Sequence, residues 1–491
     1  MGHEGRLFIG GEWVAPSTDA RIDVVSPHTE AVIGRAAAAG PTDVDRAVTA
    51  ARAAIDAGPW PRLDPAERIA AVRRLAALYG ERRREMAELI TAEMGSPISF
   101  SKLAQAMLPW TMLGAFADFA EGYAWEETRP GYYGQDVILR KEPAGVVAAI
   151  VPWNMPQFLI VGKLAPALLA GCAVVLKPAP ETPLDANLLA ELIEQAGLPP
   201  GVVSVLPGGA DVGEALVAHP GVDRVSFTGS TAAGRQVAAA CGAGLKRVSL
   251  ELGGKSAAVV LDDADPAAVA AGAKLAGLMN SGQACVAQTR ILVPESRYGE
   301  MVDALAAMVD EVPVGDPSDR ATEIGPLVAR RQQERVRGYI ELGQYEGARL
   351  VVGGTGLPAG VDRGWYVRPT LFADVDNRMR IAQEEIFGPV LTVVPYAGED
   401  EAVRLADESD YGLSGSVWTA DVDRGMEVAR RVRTGTFGVN QPYSMDPAAP
   451  FGGVKASGVG RELGREGMDE YLEVKAISVA PATDLSEGRD R

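Results

Sequence analysis

A carboxylate and a thiol stand at the two ends of one stretch of this chain. Glu251 opens the string ELGGKS at residues 251–256, and Cys285 closes SGQAC, 34 positions later. A thiol attacks electrophilic carbon only as the thiolate, so it needs a neighbour that lowers its pKa or takes its proton. A carboxylate in a partly apolar cleft can be that base, for a thiol or for a water. Alone, neither residue carries this meaning. A Glu is ordinarily a surface charge, and a lone Cys in an Ala-rich chain is ordinarily a small buried hydrophobe. The chemistry depends on what the other elements bring beside them.

The whole chain sets bounds on that chemistry. Its 491 residues suffice for two or more domains, and 47% hydrophobic with 23% charged residues is an ordinary globular composition. The net charge of −18, from 47 basic and 65 acidic residues, argues against a nucleic-acid partner. Cys172, Cys241 and Cys285 form no CxxC pair, so neither a disulfide framework nor a zinc site is indicated, and a reducing, cytoplasmic setting is expected. His3, His28 and His219 are the only histidines. That scarcity disfavours Ser-His and Cys-His hydrolases and a histidine metal site, and no metal is expected. The start, MGHEGRLFIGGEW, lacks a charged-then-apolar signal pattern. Residues 143–162 run 20 positions without a charge, but Pro152, Asn154 and Pro156 interrupt the run, which reads as buried core rather than a membrane span.

The elements that must position the pair follow from local pattern. Residues 7–36 read as short strands with turns. Helices follow, one capped by Thr42 and running towards Ala57, one starting at Asp64, Pro65 and Glu67 and ending at Gly95, and a third over roughly 101–123. Residues 134–142 read as a strand-like arm. From Gly145 the pattern changes to short apolar runs, at 146–151, 173–176, 202–206, 222–227 and 247–250. Helices start between them near Pro156, Pro183, Asp211 and Ser230. Apolar strands alternating with helices imply a parallel sheet covered on both faces, with ligands at the carboxyl ends of its strands. Four polar strings fall at those ends: PWNMPQ, KPAPETP, FTGS and ELGGKS. A second alternating region follows Cys285, with a strand at 289–293, a helix at 296–311 and a strand at 391–395. The tail after Asp484 is charged and is expected to fray.

Two phosphate motifs fail. No GxGxxG follows the first strand of the sheet, and Gly254, Lys255 and Ser256 lack the glycine that a P-loop needs at position 249, where Ser249 stands. Gly229 and Ser230 open a helix, whose N-terminus suits an anion.

With PWN, KP…TP, FTGS, ELGGKS, GQAC, EEIFGPV and PFGGVKASG in this order, the chain resembles the aldehyde dehydrogenase superfamily over about residues 7–478. The resemblance implies an α/β fold: a Rossmann-like parallel-sheet cofactor domain of residues 1–124 and 144–254, and an α/β catalytic domain of residues 255–456. A small β oligomerisation arm and C-terminal strand would take residues 125–143 and 457–491. It implies NAD(P)-dependent oxidation of an aldehyde to the acid through a cysteine thiohemiacetal and thioester. Cys285 would be the nucleophile, Asn154 an oxyanion donor with the Cys285 backbone N–H, and Glu251 the base. Lys177 and Glu385 resemble the family's ribose-binding pair and Ser230, beside Gly229, its pyrophosphate contact. Trp153, Leu252 and Phe387 would line the cofactor cleft.

One position departs from a common family pattern. Three residues after Lys177, many NAD-preferring members carry a Glu; here Pro180 stands there with Glu181 next to it. Proline offers no charge to repel a 2′-phosphate. NAD is still the expected cofactor, with NADP as the alternative, because Lys177 is the only cation of the string. By the same resemblance Met155, Gly162, Met279, Met445 and Phe451 approach the substrate channel, which suits a medium-sized apolar aldehyde. Two alternatives stand beside this reading: a CoA-acylating dehydrogenase, which Glu251 disfavours, and a non-catalytic protein on a dehydrogenase scaffold. The expected partners are a small-molecule aldehyde and further copies of the chain, as a homodimer or homotetramer, with no nucleic acid and no membrane.

Overall fold

Five of the apolar runs pair in parallel, in the order Val203–Val205, Ala173–Lys177, Val146–Ile150, Arg224–Thr228 and Arg247–Glu251. A computed structural model describes residues 3, 5–442 and 445–479. Short antiparallel strands close both edges of this sheet: Leu7–Ile9 with Glu12–Val14 at one, and Gly458–Val459 at the other. The central strands are buried along their whole length, as a sheet covered on both faces requires. Helix Pro156–Ala170 lies on one face with every residue buried, which explains the uncharged run. No helix among the described residues is long and apolar enough to cross a membrane.

Residues 257–439 build a second sheet of seven strands, with Ala257–Val260, Arg290–Pro294, Val390–Tyr396 and Gly415–Trp418 parallel at its centre. The expected strands at 289–293 and 391–395 lie here, each within a residue or so of its predicted ends. A third sheet of three antiparallel strands joins Glu126–Pro130 and Asp136–Pro143 to Leu472–Val479. The tail beyond residue 479, including the stretch after Asp484, lies outside the described residues.

Some local expectations need correction. The first long helix is Pro41–Asp56, and its N-cap is Gly40, not Thr42. Asp43 does the capping instead: its carboxylate accepts from the Gly40 and Ser17 N–H groups, and Pro41 at the first helical position needs no acceptor. The third helical region has a π-helical stretch, Ser101–Met107, before Leu108–Glu121. The chain after the second sheet does not go only to the arm. Gly458–Val459 returns to the first sheet beside the strand that carries Glu251.

Candidate active site

The four strings come together at one edge of the first sheet. Two cavities flank the turn that follows strand Arg224–Thr228. One, of about 380 Å³, is lined by Lys177, Gly209, Gly213, Glu214, Phe227 and Val237, among others, and its wall is mostly apolar. The other, of about 290 Å³, is lined by Trp153, Asn154, Gly229, Ser230, Leu252, Gly253, Cys285, Gln332, Arg335, Glu385 and Phe387. Helix Thr231–Ala243 starts between them, with the Ser230 hydroxyl accepting from the Ala233 N–H as its N-cap.

Glycines in ELGGKS let three chain segments close on this strand end. A Cβ on Gly253 would lie 2.5 Å from a Glu385 carboxylate oxygen, and one on Gly254 would lie 2.4 Å from the Cys285 carbonyl. The Gly254 N–H donates to Glu385 Oε1 at 3.0 Å. Burial pushes the Glu385 carboxyl up to about 7, against that hydrogen bond and the charges of Arg335 and Lys255. Trp153 and Phe387 meet edge to face, with centroids 5.4 Å apart.

The loop that presents Cys285 is strained and heavily pinned. Asn280, Ser281 and Gly282 have φ of 51°, 59° and 73° in succession, a conformation that persists only where the surroundings over-determine it. The surroundings are visible. Ser281 Oγ donates to the Gly325 carbonyl at 3.0 Å, Gln283 Oε1 accepts from the Val328 N–H at 3.1 Å, and Asn280 Nδ2 donates to the Asn154 carbonyl at 2.8 Å. Gly282 admits no Cβ, because the Gly388 carbonyl oxygen would lie 2.2 Å from it. Asn154 Nδ2 donates to the Gln283 carbonyl at 3.1 Å, which ties the Asn154 side chain to the Cys285 loop. The Cys285 thiol is partly open to the cleft, yet its surroundings push it up to about 12, through burial first and then the carboxylates of Glu385 and Glu251.

Glu251 does not line either cavity. It lies deeper, 2% exposed, and neither of its oxygens has a hydrogen-bond partner among the described residues. Burial and then the charge of Glu462 hold its carboxyl well above the usual range, opposed by Lys163 and Arg461. Gly452 makes room for it: a Cβ there would lie 2.7 Å from Glu251 Oε1. Behind it, the Lys163 ammonium, fully buried, pairs with Glu462 and donates to Thr228 Oγ1 at 2.7 Å. Glu251 thus has a shape and a charge environment of its own, within electrostatic reach of the thiol.

Of the expected cofactor contacts, Trp153, Gly229, Ser230, Leu252, Glu385 and Phe387 line the Cys285 cavity and Lys177 lines the apolar one. Burial pushes the Lys177 ammonium down to about 8, against the charges of Glu181 and Asp211. Glu181 is the exception. It lines neither cavity, and its carboxylate is paired with Arg331 from the second sheet's region, although its charge still acts on Lys177. Among the expected channel residues, Met155 and Phe451 belong to one apolar cluster, and Met279, Met445, Trp153 and Cys285 pack against it. Gly162 faces Glu462 instead, with its Cβ position 3.6 Å from that carboxylate.

Sequence reading missed Gln332 and Arg335. Both stand on one face of helix Arg330–Tyr345 and hold the Glu385–Phe387 loop by its backbone. Gln332 Nε2 donates to the Phe387 carbonyl at 2.7 Å, and Arg335 donates to the Glu385 carbonyl at 2.5 Å. Their three-residue spacing was legible, but nothing local separates them from the other polar residues of RRQQERVR. Glu462, Lys163 and Glu214 were also missed.

The fold and the cleft define a class: an α/β protein built on two large, mainly parallel sheets, with a thiol and the Glu385 carboxylate in one cleft and the buried Glu251 behind it. A sequence profile described as the aldehyde dehydrogenase family matches residues 13–477, and the chain belongs to that family. It is an oxidoreductase that acts on aldehydes. Geranial dehydrogenase of Castellaniella defragrans is 48% identical over 471 residues, 96% of this chain and 98% of that one. An aldehyde dehydrogenase of Mycobacterium tuberculosis, solved with NAD+, is 50% identical with a TM-score of 0.95, over 97% of this chain and 98% of that one. A mutant of aldehyde dehydrogenase C from Pseudomonas syringae, solved with NAD+ and octanal, is 43% identical with a TM-score of 0.94, over 97% of each chain.

Proposed function

We propose that the chain oxidises a medium-sized apolar aldehyde to the carboxylic acid with NAD+, using Cys285 as nucleophile, Asn154 as oxyanion donor and Glu251 as base. The observation that carries this reading is the Cys285 cavity itself. A thiol, an amide side chain and a half-buried carboxylate, Glu385, line it together, and an apolar cavity lies just across the Gly229–Ser230 turn.

The pair of cavities fits a dinucleotide. The apolar one suits a flat base, with Lys177 at its rim for ribose hydroxyls; the turn and helix N-terminus between the cavities suit a pyrophosphate. Glu385, on the Cys285 side, suits the second ribose. NAD+, when bound, supplies the hydride acceptor that no side chain offers. The remaining steps belong to the chain. The Cys285 thiol, strongly disfavoured as thiolate by its burial, gives its proton to Glu251, which passes it on to solvent, and the sulfur adds to the aldehyde carbon. The Asn154 amide, which the Cys285 loop already holds in place, and the Cys285 N–H stabilise the oxyanion. After oxidation Glu251 takes a proton from the water that releases the acid.

The NAD+ complexes of the two solved relatives support the cofactor assignment, and the octanal complex and the geranial relative support the apolar substrate. So does the apolar cluster that contains Met155 and Phe451 and against which Met279, Met445 and Cys285 pack. The Asp211 carboxylate, whose charge acts on Lys177, disfavours a 2′-phosphate. A division into cofactor domain, catalytic domain and arm, at the boundaries expected from sequence, is part of this reading; the three sheets support it, except that Gly458–Val459 pairs with the first. The exposed three-stranded arm suits assembly into a dimer or tetramer, and the cysteine pattern suits a cytoplasmic setting.

A panel of linear, terpenoid, aromatic and charged aldehydes, run with NAD+ and NADP+ in parallel, tests the assignment. Apolar aldehydes of medium length with NAD+ should give the highest kcat/KM. Preference for carboxylate-bearing aldehydes, or for NADP+, would overturn it. Acyl-CoA formation on adding coenzyme A would turn the reading to the CoA-acylating branch.

A further inference from the structure

The apolar cavity of about 380 Å³ is a slot between two helices. Helix Ala210–Ala218 lines it with Ala210, Gly213, Glu214 and Val217. Helix Thr231–Ala243 lines it with Ala233, Gln236, Val237 and Ala240. Both sets recur at three- and four-residue steps, so each is one face of its helix. Phe227 and Ile150, paired on neighbouring strands, line the slot from the sheet.

Only three polar side chains line this slot: Lys177, Glu214 and Gln236. Lys177 is buried, and its stem lies against Gly213, whose Cβ position is 3.8 Å from Lys177 Cδ. Glu214 and Gln236 are exposed, each in the second turn of its helix, so they stand at the mouth. Neither side chain makes a hydrogen bond or an ion pair among the described residues. A free Glu or Gln is ordinary on a surface helix. These two differ in sharing the rim of one apolar slot. A purine has two apolar faces and a polar edge. Its faces suit Val217, Val237 and Phe227. Its edge would lose its hydrogen bonds against those residues, so the edge turns to the mouth.

We propose that Glu214 makes the slot selective for an aminopurine: its carboxylate accepts from the exocyclic amine of adenine, and the Gln236 amide meets the ring nitrogen beside that amine. The proposal rests on the reading of this cavity as the base site of NAD+, and adds which base it takes. A carboxylate only accepts. Hypoxanthine and guanine present a carbonyl oxygen where adenine has its amine, so two acceptors would face each other with no proton between them. The Gln236 amide holds a donor and an acceptor, and turns to suit either edge. Glu214 therefore makes the choice. Its exposure lets water soften the mismatch, which leaves about tenfold in affinity, the worth of one hydrogen bond to a charged group at the lower end of its range.

The test is calorimetric affinity for NAD+ and for its deaminated analogue, nicotinamide hypoxanthine dinucleotide. The wild type should bind NAD+ about tenfold tighter than the analogue. Glu214→Ala should bind NAD+ about fivefold more weakly and the analogue almost unchanged, so that the two come within about twofold of each other. Glu214→Gln, whose amide can donate to the carbonyl, should bind the analogue more tightly than the wild type does. Equal wild-type affinity for the two dinucleotides overturns the proposal. So does a Glu214→Ala that weakens both alike and keeps their ratio, the result of a merely structural role. Either outcome leaves the cofactor reading of the cavity standing. Val237→Trp tests that reading separately: it fills the slot and should abolish binding of both dinucleotides. A folded Val237→Trp with wild-type affinity for NAD+ overturns the base site, and the proposal with it. Ala240→Trp replaces it if it does not fold.

Discussion

The Cys285 thiol should be almost unreactive in the cofactor-free protein at neutral pH, and its reactivity should climb steeply with pH. Its burial, with Glu385 and then Glu251 nearby, pushes it up to about 12. An ordinary cysteine titrates near 8.5 and is a few per cent thiolate at pH 7. A thiol at about 12 is thiolate to about one part in 10⁵ at pH 7 and one part in 10³ at pH 9, so alkylation should accelerate about a hundredfold between them, about tenfold per unit. Glu385→Gln, which removes the larger of the two carboxylate effects, should shift the whole curve to lower pH. The assay is second-order alkylation by iodoacetamide, read by mass spectrometry of the peptide that holds Cys285, with Cys172 and Cys241 as buried controls. A rate that levels off between about pH 7 and pH 8 would mean a standing thiolate. It would refute the argument that burial keeps the thiol protonated until a base acts.

Glu251→Gln should lower kcat by about 10² to 10⁴-fold, the usual contribution of a general base, while NAD+ affinity stays within about twofold, since Glu251 lines neither cavity. Asn154→Ala should lower kcat by about 10² to 10³-fold, and should also loosen the Cys285 loop, read as faster proteolysis near residue 283, because the Asn154–Gln283 hydrogen bond is lost. Lys163→Met strands the buried Glu462 carboxylate, a loss of about 3–5 kcal/mol, visible as a lower Tm that Glu462→Gln in the same chain should largely restore. The Lys163 charge also opposes the rise of the Glu251 carboxyl. Without it that carboxyl stays protonated to higher pH, so the acid limb of the rate profile should move to more alkaline pH.

The parallel sheet was legible because its signals are local. Short apolar runs and Gly- or Pro-rich strings mark each strand and its carboxyl end, and Ser230 and Asp64 cap their helices through near neighbours. The Cys285 loop and ELGGKS were legible as strings, and the closeness of the glycines to Glu385 and Cys285 gives those strings a steric reason. What escaped depends on contacts between distant positions. Lys163 meets Glu462 across 299 residues, and Gly458–Val459 pairs with the Glu251 strand only after the second sheet has been completed. Glu181 is a mixed case. Sequence proximity to Lys177 suggested a shared site, and its charge does act on Lys177, while its carboxylate is held by Arg331 from a distant helix.

The central claim is that aldehyde oxidation passes through a covalent bond to Cys285, and Cys285→Ala tests it most directly. The variant should bind NAD+ with wild-type affinity and form no NADH from any aldehyde that the wild type oxidises. NADH formation near the wild-type rate, in a folded variant free of wild-type protein, would contradict it.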